Sequence, residues 1–406
     1  MQQKRESSMP WAVMLCACLL GFAMWAPSYC VPPIEHILKL ELNLTHAETS
    51  LLYTGPILML AAIGIPGGFI GDRIGARKAA GIGAIIIAVG ALLRSMTSNP
   101  SALLAYTFIY GIGLGWVFPN LAKLISAWVP RDKAGVATGI YSVGIMAGVA
   151  IPMAITMPVV FPITNTFQGV FLFWSIPAIA AAASWWIIAK EPQRNKVVSG
   201  TRSVGPSFQR VIKNKHLWLV SVLFFMHNFF FFTWTGWAPH LLMLKGATDR
   251  LAGLITSIFP WVGIPTVMFM PRLAYKMGLR KPFLWVPAIV MSLAALGAIY
   301  MNLAASWLVM AMVGIASNTR LVTILALPVE MVPEEDVGTA SGLIISIGHL
   351  GGVIGAWIGG RILDVTGSLD IAMLILVGIS VSTVFIALGL PETGRKFDDS
   401  RLRISE

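Results

Sequence analysis

The sequence has few charged residues. Asp, Glu, Lys and Arg make up 12% of its 406 residues, whereas 56% are hydrophobic. Soluble domains carry about twice that charged fraction. Apolar runs of about 20 residues recur along the whole chain, and each is long enough to cross about 30 Å of hydrocarbon. This composition excludes a soluble globular protein and predicts an all-α integral membrane protein.

Cysteine is also scarce. The three cysteines, Cys16, Cys18 and Cys30, lie together in the first apolar run. They cannot form a disulfide framework, and their place on one membrane helix argues against a metal site. The chain has no phosphate-cradling glycine loop, no nucleophile constellation and no cluster of metal ligands. We therefore expect neither an enzyme nor a protein that binds a cofactor or metal.

Twelve apolar segments are predicted to cross the membrane. The first lacks a small-residue cleavage site after its apolar run, so we expect it to be retained as a span rather than removed as a signal. The predicted spans are 10–31, 48–70, 78–97, 102–128, 134–159, 167–189, 216–241, 250–271, 282–302, 305–330, 337–363 and 369–391.

The basic residues are unevenly distributed among the loops. The net charge is +11, and with the N-terminus inside, most of the 29 Lys and Arg fall in inside segments. This bias follows the positive-inside rule. We therefore expect a multi-pass protein of the cell membrane, in bacterial terms the inner membrane, with both termini in the cytoplasm. The basic excess is explained by topology, and nucleic acid is not expected as a partner.

The chain contains an internal repeat. The segment 129–139 recurs at 332–342, and the segment 73–78 recurs at 276–281, each 203 residues later. Self-similarity of this kind indicates a duplicated unit. The repeat predicts two halves of six spans each. The expected domains are an N-terminal six-helix bundle over 1–190, a cytoplasmic linker loop over 191–215 and a C-terminal six-helix bundle over 216–406.

The loop between the second and third predicted spans carries a specific motif. It fits Gly-x-x-x-Asp-Arg-x-Gly-x-Arg-Lys, which is the signature of major facilitator transporters. An ordinary positive-inside loop is the alternative reading. The sequence resembles this superfamily, which implies twelve transmembrane helices in two pseudo-symmetric bundles and alternating access around a central site. The signature residues are Gly68, Asp72, Arg73, Gly75, Arg77 and Lys78.

The fourth span departs from the superfamily pattern. Where many members carry an arginine followed three residues later by glutamine, this chain has Thr107 and Tyr110. The resemblance ties that arginine to proton coupling, so proton coupling is not implied here. Arg94 ends the third span, which is peripheral in this fold, and we expect a structural or interfacial role for it.

Within the superfamily, the chain is similar to the cyanate-permease-like group, which includes a nitroimidazole transporter. The segments that carry this similarity are 231–242, 252–257 and 271–274, while 338–352 also resembles organic-anion symporters and nitrate porters. This likeness implies a small anion as cargo.

The tenth predicted span carries one arginine near its centre. A charge there costs about 2.5–3.5 kcal/mol. Ser317, Arg320 and Thr323 lie within an arc of about 120° on a helix. Arg320 is either a structural clamp on backbone carbonyls or a contact to an anion, which guanidinium binds in a bidentate manner. We favour an anion, with Arg320 facing a water-filled cavity, because no Asp or Glu lies at comparable depth.

Further candidates lie on the other spans that line the cavity in this superfamily. For the histidines His227 and His349, a role in helix packing is the alternative to a role in transport. The glycines around His349 suit close helix contacts. The candidates are His227, Asn228 and Trp234 on the seventh span, Trp116 and Asn120 on the fourth, and His349 on the eleventh.

These observations predict a secondary active transporter that moves a small anion by alternating access, either an organic monocarboxylate or a cyanate-like ion. A co-transported proton would have to travel on the anion or on a histidine. We expect a monomer in the lipid bilayer. Two alternatives stay open. One is an exporter of neutral or cationic amphiphiles, for which acidic residues in the cavity would be evidence. The other is a membrane sensor that does not transport.

Overall fold

A computed structural model describes residues 11–128, 134–189, 204–333 and 336–394. Every regular element in these ranges is helical, including a 3₁₀ turn over Pro32–Ile34 and a π-helical turn over Thr156–Val160. The α-helices are α1 (Trp11–Tyr29), α2 (Glu35–Leu42), α3 (His46–Ile74), α4 (Ala76–Arg94), α5 (Pro100–Trp128), α6 (Ala134–Ile155), α7 (Phe161–Thr164), α8 (Phe167–Ile188), α9 (Val204–Lys213), α10 (Lys215–Leu244), α11 (Asp249–Met277), α12 (Pro282–Tyr300), α13 (Leu303–Met331), α14 (Val337–Thr366) and α15 (Asp370–Gly389).

Twelve segments in the described ranges are long and apolar enough to cross a membrane. Two of them combine several elements. Trp11–Leu42 contains α1 and α2, and Gly139–Thr164 contains α6 from Gly139 onward, the π-helical turn and all of α7. The other ten correspond to single helices. The prediction of an all-α membrane protein with twelve spans is therefore confirmed. The first span is longer than expected, because the helical path continues beyond Pro27 to Leu42.

The chain divides into two compact units. One contains Met1–Leu44 and Leu52–Arg202, and the other contains Thr45–Leu51 and Ser203–Glu406. The predicted division at 190 and 216 stays a prediction, because residues 190–203 lie outside the described residues.

The segment predicted as a linker loop contains the helix α9. Its residue Val211 is buried in an apolar cluster with Leu217, Phe224 and Ile344. One apolar side of this short helix is thus covered by α10 and α14, which explains why the segment is helical although its flanking sequence is basic and polar.

The duplication is visible in where the helices begin. Each of the helices α11, α13 and α15 starts 203 residues after its counterpart α3, α5 or α8: 249 against 46, 303 against 100, and 370 against 167. The packing repeats as well. Helix α1 packs on α6 as α10 packs on α14, and α4 packs on α5 as α12 packs on α13.

Glycines allow the closest of these contacts. A Cβ atom on Gly144 of α6 would collide with the carbonyl of Cys18 on α1. A Cβ atom on Gly351 of α14 would collide with the carbonyl of Phe225 on α10. Both members of the second pair lie 207 residues after those of the first. The two units therefore use the same close approach of helix backbones, as small residues permit in membranes.

Candidate functional site

The signature segment forms the turn between α3 and α4. Gly75 has φ = 96° and begins α4, and its repeat counterpart Gly278 has φ = 64° and ends α11. Side chains with a Cβ atom rarely adopt such angles. The glycine of the motif is therefore required by the backbone of this turn.

The basic residues of the signature differ in their surroundings. Arg77 donates to the carbonyl oxygens of Ala189 at 2.5 Å and Trp186 at 3.3 Å, and its guanidinium lies 5.6 Å from the Trp186 ring centroid. Arg77 thus ties the start of α4 to the end of α8. The side chains of Arg73 and Lys78 are exposed.

Two signature positions remain. Gly68 accepts a hydrogen bond at its carbonyl from Lys123 Nζ at 2.9 Å. This contact gives Lys123 a structural partner. The side chain of Asp72 lies outside the described residues, and its role stays a prediction.

Arg320 is completely buried on α13. Its Nη2 atom lies 3.4 Å from the carbonyl oxygen of Leu223 on α10, and its Nε and Nη1 atoms have no hydrogen-bond partner within the part of the chain that the structure describes. Among the described residues, no carboxylate pairs with it. Glu330 lies ten residues further along α13, about 15 Å away by helical rise, and it pairs with Arg280 at 2.5 Å.

The surroundings of Arg320 differ from the expectation in one respect. We expected a side chain facing a water-filled cavity, whereas Arg320 has 0% exposure. The long weak bond to Leu223 does not make it a structural clamp either. A buried guanidinium without a counter-charge costs several kcal/mol. Arg320 is therefore a buried cation with two hydrogen-bond donors still to be satisfied.

The other polar residues of α13 divide into two groups. The hydroxyls of Thr319 and Thr323 donate to carbonyls four residues earlier, at 2.7 and 2.8 Å. The hydroxyl of Ser317 is buried and makes no such bond. Asn318 donates to the carbonyl of Gly314 and packs against Gly263 of α11. Ser317 thus keeps a free donor, and Thr323 does not.

His227 lies on α10 one turn from Leu223, the residue that Arg320 contacts. Its ring stacks on Phe224 at 6.1 Å and 13°, and neither ring nitrogen has a hydrogen-bond partner in the described ranges. The imidazole is held by aromatic contacts alone, so its nitrogens are available to a ligand.

His349 on α14 is placed by a different contact. Its Nδ1 atom lies 2.8 Å from the carbonyl oxygen of Ile345, and its ring meets the edge of Phe224 at 5.7 Å. Because a carbonyl only accepts hydrogen bonds, Nδ1 carries the proton. In the neutral ring, Nε2 is then a hydrogen-bond acceptor. An acceptor nitrogen can take up a proton, but it cannot donate a hydrogen bond to an anion.

Asn228 and Trp234 complete the candidates on α10. Within residues 11–128, 134–189, 204–333 and 336–394, the buried amide nitrogen of Asn228 and the buried indole nitrogen of Trp234 have no hydrogen-bond partner. Trp234 stacks on Phe230 at 5.6 Å and 13°. Both residues therefore offer unused donors.

Trp116 and Asn120 lie on α5 in the first unit. Asn120 Nδ2 donates to the carbonyls of Gly67 and Trp116, both at 2.9 Å, and its amide presses against Gly71 of α3. Both N–H groups are thus used in helix packing. The remaining polar atom, Oδ1, is an acceptor and does not suit an anion. Trp116 is half-buried, with its backbone close to Gly67.

Sequence reasoning missed the role of Phe224. Its ring touches both His227 and His349, and it packs on Gly348 of α14. The spacing of Phe224 three residues before His227 places the two on one face of α10. Nothing in the sequence indicates its contact with α14.

The whole chain matches one family model. The model of the Major Facilitator Superfamily matches residues 13–248 and 242–403. The chain belongs to the Major Facilitator Superfamily. It is a multi-pass membrane transporter and not an enzyme, as the sequence predicted.

Curated relatives of this superfamily member include porters of small anions. The cyanate transport protein of Escherichia coli strain K12 is 23% identical over 382 residues, which cover 92% of this chain and 97% of that protein. The nitrite extrusion protein of Bacillus subtilis strain 168 is 24% identical over 380 residues, covering 91% and 90%. The resemblance to an anion-porter group is therefore confirmed.

Solved structures agree on the fold. The crystal structure of a D-xylose-proton symporter superposes with a TM-score of 0.77 at 16% identity, over 95% of this chain and 99% of that one. At this identity the likeness concerns the major facilitator fold alone.

Proposed function

We propose that this protein is a secondary transporter that moves a small anion by alternating access, with Arg320 as the residue that binds the anion. A fully buried guanidinium with two unused donors is the observation that carries this proposal. An anion supplies both the missing counter-charge and the missing acceptors. Pairing of this kind turns a costly buried cation into a selective site.

The unused donors on α10 and α13 favour an anion over other cargo. Donor groups without partners are found on Ser317, on Asn228 and, in either neutral tautomer, on His227. Hydrogen-bond donors attract acceptors, and a cation offers none. Thr323, Asn120 and His349 use their donors within the protein, so we exclude them from the anion contact and keep His349 as a candidate proton acceptor.

The similar proteins support the same cargo class. A cyanate transport protein and a nitrite extrusion protein are related over nearly the whole chain. The exporter of cationic amphiphiles is disfavoured because no carboxylate accompanies Arg320 in the described residues.

The test is uptake into proteoliposomes. Wild type and Arg320→Gln are reconstituted with a panel of labelled anions, including nitrate, nitrite, cyanate and short monocarboxylates, with and without a pH gradient. We expect wild type to carry at least one of them and Arg320→Gln to lose uptake by at least a hundredfold. Dependence on the pH gradient would indicate a coupled proton, and counterflow without a gradient would indicate exchange.

Thr319→Val is the matched control. Thr319 precedes Arg320, its hydroxyl is used inside α13, and its loss removes no free donor. Wild-type uptake by a folded Arg320→Gln protein would contradict the proposal. Uptake of organic cations by wild type with no anion uptake would favour the exporter instead.

A further inference from the structure

The unused donors on α10 are not confined to the level of Arg320. His227 lies four residues and Asn228 five residues after Leu223 on α10, whereas Trp234 lies eleven residues after it. Seven residues turn a helix by about 700°, so His227 and Trp234 share a face about 10 Å apart along the axis. The donors therefore form two separate groups on one helix face.

The surface between these groups is apolar and aromatic. The ring of Phe231 lies 6.2 Å from that of His227 and 5.3 Å from that of Phe259 on α11. Flat rings at this position favour a flat partner, since aromatic groups gain from stacked and edge-to-face contacts. The middle of the face offers no hydrogen bond from these side chains.

Trp234 differs from its neighbour Trp237. Both indoles are buried on α10, with 1% and 2% exposure. Trp237 donates from Nε1 to the carbonyl oxygen of Ala356 at 2.8 Å, which fixes it against α14. Trp234 Nε1 has no partner. Buried indole N–H groups usually find an acceptor. The N–H of Trp234 is an unused donor that a ligand would satisfy, and Trp25 on α1 of the first unit carries another.

We infer that the cargo is an elongated, planar organic monoanion whose carboxylate is held at Arg320 and whose far end accepts a hydrogen bond from Trp234. This inference rests on the proposed function and narrows it to one class of anion. The indole N–H only donates. The far end must therefore be an acceptor, such as a carbonyl, nitro or ether oxygen. Phe231 packs against the planar middle of the cargo.

The experiment compares two probes of equal charge and nearly equal shape. 4-Acetylbenzoate carries an acceptor at its far end, and 4-isopropylbenzoate carries a methyl group there. Affinities of purified wild type for both, and for acetate and nitrate, are measured by thermal shift and by inhibition of transport. We expect wild type to bind the acetyl compound at least tenfold more tightly than the isopropyl compound.

Trp234→Phe separates the hydrogen bond from the ring. This variant should bind the two benzoates equally within about twofold. Trp237→Phe is the control, and it should lower thermal stability while keeping the preference for the acetyl compound. If Trp234→Phe does not fold, the comparison of the two benzoates in wild type still decides.

The outcomes distinguish the two proposals. If wild type transports acetate or nitrate but binds 4-acetylbenzoate no more tightly than 4-isopropylbenzoate, this inference is overturned and the proposed function is left intact. A preference for the acetyl compound that persists in Trp234→Phe overturns the role of Trp234. Failure to bind any of these anions, or undiminished binding in Arg320→Gln, overturns the proposed function itself.

Discussion

Arg94 donates from Nη1 to the carbonyl oxygen of Pro27 at 2.6 Å and so joins the end of α4 to the bend in α1. It also donates to Leu52 of α3 at 3.4 Å, and its guanidinium lies 4.2 Å from the ring centroid of Phe171 on α8. This arginine is a structural clamp across four helices of the first unit. It is as deeply buried as Arg320, but it makes a short hydrogen bond and a ring contact that are not found for Arg320 in the described residues.

The two buried arginines should therefore respond in opposite ways to neutralisation. Arg94→Met removes two charge-assisted hydrogen bonds and a cation–π contact, which should cost about 2–4 kcal/mol. Arg320→Met removes an unpaired buried charge and should leave the ligand-free protein as stable as wild type or more so. Thermal unfolding in detergent measures both. Equal destabilisation by the two substitutions would show that Arg320 is also a clamp.

Ser317 and Thr323 provide a second contrast within the predicted site. A free hydroxyl that bonds a charged ligand is worth about 1.5 kcal/mol or more. Ser317→Ala should therefore raise the apparent KM for the anion about tenfold. Thr323→Val should leave KM within about twofold, because the Thr323 hydroxyl already donates to Thr319. An unchanged KM in Ser317→Ala, measured in the same proteoliposomes, would remove Ser317 from the anion contact.

The close contact between α10 and α14 should depend on Gly351. Gly351→Ala places a methyl group against the carbonyl of Phe225 and should cost about 1–3 kcal/mol by overpacking. Gly378 on α15 has nothing within 4 Å of its would-be Cβ atom. Gly378→Ala should be neutral or stabilise the helix by up to about 1 kcal/mol. The melting temperatures of the two variants check this difference in sign.

The ion pair between Arg210 of α9 and Asp336 should couple α9 to the start of α14. It is bidentate, with distances of 2.8 and 2.7 Å, and the Asp336 side chain is 4% exposed whereas that of Arg210 is 51% exposed. The exposure of Arg210 limits the coupling to about 1 kcal/mol. A double-mutant cycle with Arg210→Gln and Asp336→Asn measures it.

The cycle should also depend on salt. Salt screens the attraction between exposed charges. The coupling energy should therefore be smaller in about 1 M NaCl than in about 0.05 M NaCl. Strict additivity of the two substitutions at low salt would mean that the pair does not stabilise the position of α9.

Most of the fold was predictable from the sequence. Apolar runs of sufficient length must become helices in a membrane, because lipid leaves backbone groups no other partner. The recurrence of 73–78 at 276–281 predicts that α3 corresponds to α11, and the recurrence of 129–139 at 332–342 predicts that α5 corresponds to α13. The helix α9 was missed because its ten residues are surrounded by basic and polar sequence, and its burial depends on contacts with α10 and α14.

The sequence allows candidate site residues to be chosen, and they stay predictions, but it does not predict the hydrogen-bond partners of their atoms. Ser317 and Thr323 belong to the same chemical class and the same helix face, yet only the structure tells which hydroxyl is used within α13. Asn120 was expected at the cavity wall, and the close approach of Gly71 explains why its amide is used in packing instead. Side-chain directions of this kind depend on neighbours distant in sequence.

The two buried arginines have no arginine at the corresponding positions of the repeat. At the spacing of 203 residues, the counterpart of Arg320 is Val117, and the counterpart of Arg94 is Gly297. Each buried arginine is therefore present in only one of the two repeats. If the anion is held by Arg320, the stoichiometry is one cargo molecule per turnover. Any exchanged ion must then use the same position on the return journey, so the two should compete.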